Sequence, residues 1–126
     1  MRQTELKIGD WVSFDGTPVK IKETTPTRAL IDTSLCKDFA SDEACATLRN
    51  LSPIPLTEDI LRKNGWKEKV WSGENVYTSG WYALLRVGQE GLWAFRHYDD
   101  LLTTIQSVHE LQHLLWALGM DDDLKI

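Results

Sequence analysis

The sequence lacks long apolar runs and is poor in cysteine. No uninterrupted apolar segment exceeds five residues, as at residues 114–118, whereas a helix that crosses a bilayer needs about 20. The first residues contain no apolar segment of the kind found in secretory signals. The two cysteines, Cys36 and Cys45, are most simply free thiols in a reducing compartment, with a disulfide as the minor alternative. A metal-binding pair is less favoured still, because zinc-binding cysteines usually stand about two to four residues apart. These absences predict a cytoplasmic protein without a membrane span.

Positive charge is also scarce. The 126 residues carry a net charge of -5, with a pI near 5.1, which argues against a broad phosphate-binding surface. Nucleic-acid binding through the N-terminal strands is therefore an alternative rather than the leading hypothesis. It would use Lys20, Lys22 and Arg28, with aromatic side chains stacking on bases, but three cations on two strands are more often a solvated face.

The N-terminal third has the pattern of a β-meander. Residues 8–14 end at Asp15-Gly16, a strong hairpin signal, and apolar Val19 and Ile21 then alternate with lysines. A third strand is expected at residues 28–32. Short strands in this order indicate a small SH3-like barrel. Residues 34–50 leave two alternatives open: a short helix at residues 44–46, or a long loop with a strand near residues 46–51.

The segment SPIP at residues 52–55 cannot be helical, because its prolines force an extended backbone. It divides the chain into a β-meander module, residues 1–53, and an α+β module, residues 54–126, although one continuous domain is also compatible. Thr57 is expected to cap a short helix that stops at Asn64-Gly65. Antiparallel strands follow at residues 66–98, with a turn at residues 88–91. A helix at about residues 104–118 completes the predicted α+β fold, packed on the sheet.

A helical wheel of this last helix separates two faces. Leu111, Leu114, Leu115 and Leu118 form an apolar stripe that predicts the buried side. His109 and His113 fall on the opposite side, beside Trp116. We therefore expect both histidines to point away from the core.

Residues 109–113 spell HELQH, which matches the H-E-x-x-H pattern of zinc hydrolases. In that hypothesis His109 and His113 would bind zinc and Glu110 would be the general base. A third ligand in a familiar register is missing; His97, Asp99, Asp100 and residues 121–123 would serve only if the fold brought one of them close. The zinc hydrolase is therefore kept as an alternative.

Several stretches resemble one group of proteins. They are IPLTEDIL at residues 54–61, NGW at 64–66, VHELQ at 108–112 followed by Leu118, and IGDWV at 8–12. The chain is similar there to short uncharacterised proteins encoded by gut Bacteroidetes, their phages and mobile elements, a group with no established activity. The resemblance implies glutamine at the position of Glu110 and asparagine at that of His113. The zinc spelling would then be peculiar to this chain, and His109 would be structural.

The leading hypothesis is a small non-enzymatic binding or adaptor protein, of phage or mobile-element origin, that needs no cofactor. The sequence offers no convincing nucleophile, phosphate-binding loop or complete metal set. It does contain six tryptophans, a residue type favoured at interfaces. An unknown protein partner, or a second copy of the chain, would contact Trp116, His109 and His113 on the last helix.

The apolar stripe generates the first prediction. Leu111→Asp should unfold the protein, because it places a charge at the centre of the predicted buried face. His113→Ala should leave it folded. Thermal unfolding of the two variants and the wild type is the measurement, and comparable midpoints for wild type and Leu111→Asp would contradict the expected orientation of the helix.

Overall fold

A computed structural model describes residues 6–36, 41–88, 91–98 and 100–126. These residues form an α+β structure of two antiparallel sheets, two α-helices and one short 3-10 helix at Leu48–Asn50. The strands are β1 Trp11–Phe14, β2 Thr17–Thr24, β3 Arg28–Asp32, β4 Glu43–Thr47, β5 Leu51–Pro53, β6 Lys67–Trp71, β7 Glu74–Ser79, β8 Tyr82–Arg86, β9 Trp93–His97 and β10 Asp100–Ile105. The helices are α1 Glu58–Lys63 and α2 Val108–Ala117.

The first sheet has the strand order β4-β3-β2-β1-β5. The expected hairpin between β1 and β2 is confirmed, and both of its turn residues, Asp15 and Gly16, have the left-handed φ that a two-residue turn requires. The register of β2 against β3 shifts between Ile21 and Glu23, so β2 bends there. The alternating apolar side chains of these strands form one buried cluster, of which Val12, Val19, Ile21, Ala29 and Ile31 are members.

The second sheet has the order β10-β9-β8-β7-β6, with every neighbouring pair antiparallel. Tyr77, Leu84 and Phe95 lie opposite one another on β7, β8 and β9, and all three are buried. They share a second apolar cluster with Leu111 and Leu115 of α2. One face of this sheet therefore belongs to the protein core.

The short helix α1 matches the expectation from its capping residues. Thr57 has an extended backbone, and its Oγ1 accepts from the backbone N–H of Ile60 at 3.3 Å. The helix ends at Asn64, whose side chain donates to the carbonyl oxygens of Ile60 and Lys125, and Gly65 follows with φ 81.

Two parts of the expected secondary structure are wrong. Residues 104–107 do not begin the last helix: Thr104 and Ile105 end β10, whose β-branched residues suit a strand better, and α2 starts after Ser107. Residues 44–46 are not helical, since they lie in β4 and pair with β3. Of the expected turn at residues 88–91, Gln89 and Glu90 lie outside the described residues.

The buried side of α2 is wider than the leucine stripe. Leu111 and Leu115 are buried as expected, whereas Leu114, also expected to be buried, is only partly buried. Leu118, expected to be buried, is 37% exposed because α2 ends at Ala117. His109, expected to point outward, is only 4% exposed. The wheel assumed one packing surface, whereas α2 also contacts β1 and the segment before it.

Gln112 makes the central contact of this second surface. Its Oε1 accepts from the backbone N–H of Trp11 at 2.8 Å. Its Nε2 donates to the carbonyl oxygens of Gly9 at 3.0 Å and Asp122 at 3.1 Å. One buried amide thus joins α2, the start of the first sheet and the C-terminal segment.

Gln112→Ala should destabilise the protein by about 3 kcal/mol, because three backbone groups lose a partner in a place with little access to water. Gln106→Ala is the matched control: Gln106 is exposed, and its change should shift stability by less than about 0.5 kcal/mol. Chemical denaturation measures both. Equal stabilities for the two variants would show that the amide does not join these elements.

Candidate functional site

The HELQH residues of α2 border a cavity. It has a volume of 390 Å³ and is lined by Pro53, His109, Glu110 and His113. The ring centroids of the two histidines are 5.7 Å apart. The structure thus brings together the three residues that the zinc hypothesis requires, and the partners of their side chains decide what they can do.

His113 is bound to a buried carboxylate. Its Nε2 lies 2.7 Å from Asp10 Oδ2, and the Asp10 side chain is only 4% exposed. The same carboxylate oxygen accepts from the backbone N–H of Lys7. Because an ionised carboxylate only accepts, Nε2 of His113 carries the shared proton. The nitrogen therefore fixes the entry to β1 instead of being open to a metal.

Glu110 and His109 are both engaged with Ser107, the residue before α2. The Ser107 hydroxyl donates to Glu110 Oε1 at 2.8 Å, and the backbone N–H of Gln106 reaches the same oxygen at 3.3 Å. His109 Nδ1 lies 3.2 Å from Ser107 Oγ; since the hydroxyl proton is committed to Glu110, the ring donates. Ser107, the residue before the helix, makes no capping hydrogen bond to a helical N–H; its hydroxyl instead orients Glu110, whose carboxylate lies at the positive end of α2.

Among the described residues, no group of three histidine, cysteine or acidic side chains is placed to hold a metal ion. Asp99, one of the third ligands considered, lies outside them. His109, Glu110 and His113 each have a protein partner that needs no metal. The arrangement is accounted for by hydrogen bonds that start α2 and join it to β1.

The cations of the first sheet face acidic neighbours. Lys20 Nζ is 2.7 Å from Asp123 Oδ1, and Lys22 forms an ion pair with Glu43. Arg28 is exposed at the start of β3. Two of the three cations considered for nucleic-acid binding are thus neutralised locally.

The face of the second sheet opposite the core has a different character; we call it the outer face. Strand alternation places Val76 and Thr78 of β7 on it, because Tyr77 between them is buried in the core. The residues paired with these two across the sheet lie on the outer face as well. They are Ala83 and Leu85 of β8, Ala94 and Arg96 of β9, and Lys67, Lys69 and Trp71 of β6. Val76, Ala83 and Ala94 are 5% exposed or less, so larger side chains cover them.

Three exposed aromatic side chains stand around these small residues. Trp71 is 51%, Trp81 66% and Tyr98 55% exposed. The rings of Trp81 and Tyr98 lie 5.2 Å apart. Tyr98 has φ 54, a left-handed backbone that is uncommon outside glycine. These large apolar side chains remain exposed to water, although burying the surface of any one of them in a core would stabilise the protein.

Two hollows open on the outer face between the rings. The first has a volume of 180 Å³ and includes Lys69, Thr78 and Trp81 in its lining. The second has 120 Å³ and includes Val76, Leu85 and Arg96. Trp71, Ala83 and Tyr98 line both. Each hollow has a floor of small or apolar residues, aromatic walls and one cation.

Strand β6, which carries Trp71 and Lys69, is held at the sheet edge by a polar network on its other face. Tyr77 Oη donates to Glu68 Oε2 at 2.5 Å, and Arg62 Nη2 lies 3.2 Å from the same hydroxyl. Burial, with help from this hydrogen bond, raises the pKa of Tyr77 to about 12. The hydrogen bond from Tyr77 also lowers the pKa of Glu68. The contacts fix β6 in spite of its exposure.

Trp116 was predicted from the sequence as a contact residue, whereas the outer face was not predicted. Trp116 is indeed 61% exposed, and Lys7 Nζ lies 3.5 Å from the centre of its ring. His109, expected to share a surface with it, is buried. A signal for the outer face was present: Trp71 alternates in phase with Lys67 and Lys69 and out of phase with buried Trp66.

No protein-family model matches the chain, and neither the curated proteins nor the solved structures compared with it include a significant match.

Within the described part of the chain, no helix has the length and apolar character needed to cross a membrane. Cys36 and Cys45 are free thiols.

His113→Ala should remain folded but lose about 1–3 kcal/mol of stability, because the buried Asp10 carboxylate loses a charge-assisted partner. His113→Asn, which keeps a donor, should recover part of the loss. Metal analysis of untagged protein should give far less than one zinc per chain for all three proteins. Stoichiometric zinc in the wild type that disappears in His113→Ala would contradict this account and favour the hydrolase.

Proposed function

We propose that the protein is a small non-enzymatic binding protein whose contact surface is the outer face of the second sheet. One observation carries the proposal: Trp71, Trp81 and Tyr98 stand exposed around two hollows on a single face. Exposed apolar patches of this kind mark interaction sites, and tryptophan and tyrosine are enriched among the residues that dominate binding energy.

The surrounding contacts support a surface that is formed before a partner arrives. The rings rise from paired strands, and the network of Arg62, Glu68 and Tyr77 holds the edge strand that carries Trp71. A ligand that meets a rigid surface loses less entropy in ordering it. The HELQH side chains, by contrast, are engaged within the protein, so the zinc hydrolase ranks below a binding role.

We further propose that the first sheet is an SH3-like barrel. Its support is the strand order β4-β3-β2-β1-β5, with a bent β2 and a 3-10 helix directly before β5. Packing of α2 on the second sheet belongs to the same proposal, supported by their common apolar cluster.

We also propose membership in the group of Bacteroidetes and phage proteins that the sequence resembles. Its support is that the stretches carrying the resemblance contact one another. Gln112 bonds to Gly9 and Trp11, and the backbone N–H of Val108 donates to the carbonyl oxygen of Ile54.

An array of nucleic-acid, glycan and peptide probes tests the binding role. The double variant Trp71→Ala with Trp81→Ala should lose the binding that the wild type shows. Trp116→Ala, which removes an equally exposed tryptophan from another surface, should retain it. Binding that depends on Trp116 instead, or no binding to any class, would contradict the proposal, as would robust hydrolytic turnover.

A further inference from the structure

We infer that the outer face binds single-stranded nucleic acid, its aromatic rings stacking on bases and its cations contacting phosphates. The inference deepens the proposed function and rests on it. It departs from the expectation drawn from net charge, because the charge of this face differs from that of the chain.

The aromatic geometry suits planar ligands. Trp71 and Tyr98 line both hollows, so the two spaces lie side by side and share aromatic walls. The floor between them, Ala83, is too small to fill either space. A base that enters a hollow can stack on a ring, which is how single strands are held on sheet surfaces. In a duplex the faces of the bases are stacked on one another, so they are not available to stack on these rings.

The charge on the outer face is locally positive. Lys67 and Lys69 share the face with Trp71 by alternation, and neither forms an ion pair with another described residue. Lys69 lines the first hollow and Arg96 the second. Glu74, opposite Trp71, is the one acidic side chain that strand pairing places on this face among the described residues.

The combination favours one class of partner. Each hollow pairs planar walls with one cation, and a single strand repeats a planar base with one phosphate. An isologous contact between two copies of the chain would bring one positively charged patch against another, since such an interface uses the same patch twice. An acidic polypeptide would satisfy the charge but has no regular planar group for the rings.

The test is a titration of ¹⁵N-labelled protein, at about 50 mM salt, with thymidine and uridine oligomers of about 12 nucleotides. This length lies within the usual site size of proteins that bind single strands. The six tryptophan indole N–H signals are the reporters. Those of Trp71 and Trp81 should shift. The signals of Trp11 and Trp93, which donate within the protein, of buried Trp66 and of Trp116 should remain in place.

Variants separate stacking from charge. Trp81→Ala should weaken binding at least about fivefold, whereas Trp116→Ala should not change it. Phosphate contacts from Lys67 and Lys69 predict that log K falls with log salt with a slope of about -1.4, and Lys69→Gln should reduce this slope by about 0.7. Lys63→Gln, an exposed cation on α1, should leave the slope unchanged. Unchanged circular dichroism establishes that each variant is folded.

Three results would overturn the inference: neither oligomer binds, duplex DNA or polyglutamate binds as tightly as the single strands, or Trp81→Ala and Trp116→Ala behave alike. If a glycan or peptide probe binds the outer face instead, the inference fails and the proposed function stands. If no probe binds in a way that depends on Trp71 and Trp81, both the inference and the proposed function fail.

Discussion

Burial of Leu111 and Leu115 among Tyr77, Leu84 and Phe95 is the interaction on which the rest of the structure depends. Successive side chains of a strand point to opposite faces of the sheet, so the neighbours of each core residue lie on the face away from the core. The second sheet therefore has a core face and an outer face. On the outer face the exposed side chains of Trp71, Trp81 and Tyr98 stand around small buried residues such as Ala83.

The second surface of α2 explains the H-E-x-x-H spelling without a metal. A helix that contacts the backbone at the start of the first sheet needs polar groups there, and Gln112 supplies an amide that both donates and accepts. His113 supplies a donor for the buried Asp10, and Glu110 closes the first turn through Ser107. Gln112 and His113 hold the start of the first sheet against α2, whereas the contacts of Glu110 lie at the beginning of the helix itself.

Local rules predicted much of the fold. The turn at Asp15-Gly16, the cap at Thr57 and the leucine periodicity at Leu111 and Leu115 depend on neighbouring residues, and each was read correctly from the sequence. Strand β10 was missed because it ends at Ile105, only two residues before Ser107, the N-cap residue of α2. Its last residues were therefore assigned to the helix. The burial of His109 was missed for a different reason: it depends on which elements meet α2, and spacing along one helix contains no such information. For the outer face, the alternation of Trp71 with Lys67 and Lys69 was a signal, but the strands that complete this face are fixed only by their pairing.

The most direct test of the central claim is to locate a bound strand by photochemical cross-linking. An iodouracil-substituted single-stranded oligomer is irradiated with the protein, and the modified residues are identified by mass spectrometry. The account predicts adducts on the outer face, at Trp71, Trp81 or Tyr98. Adducts confined to Trp116, or to the first sheet near Lys20 and Lys22, would contradict it.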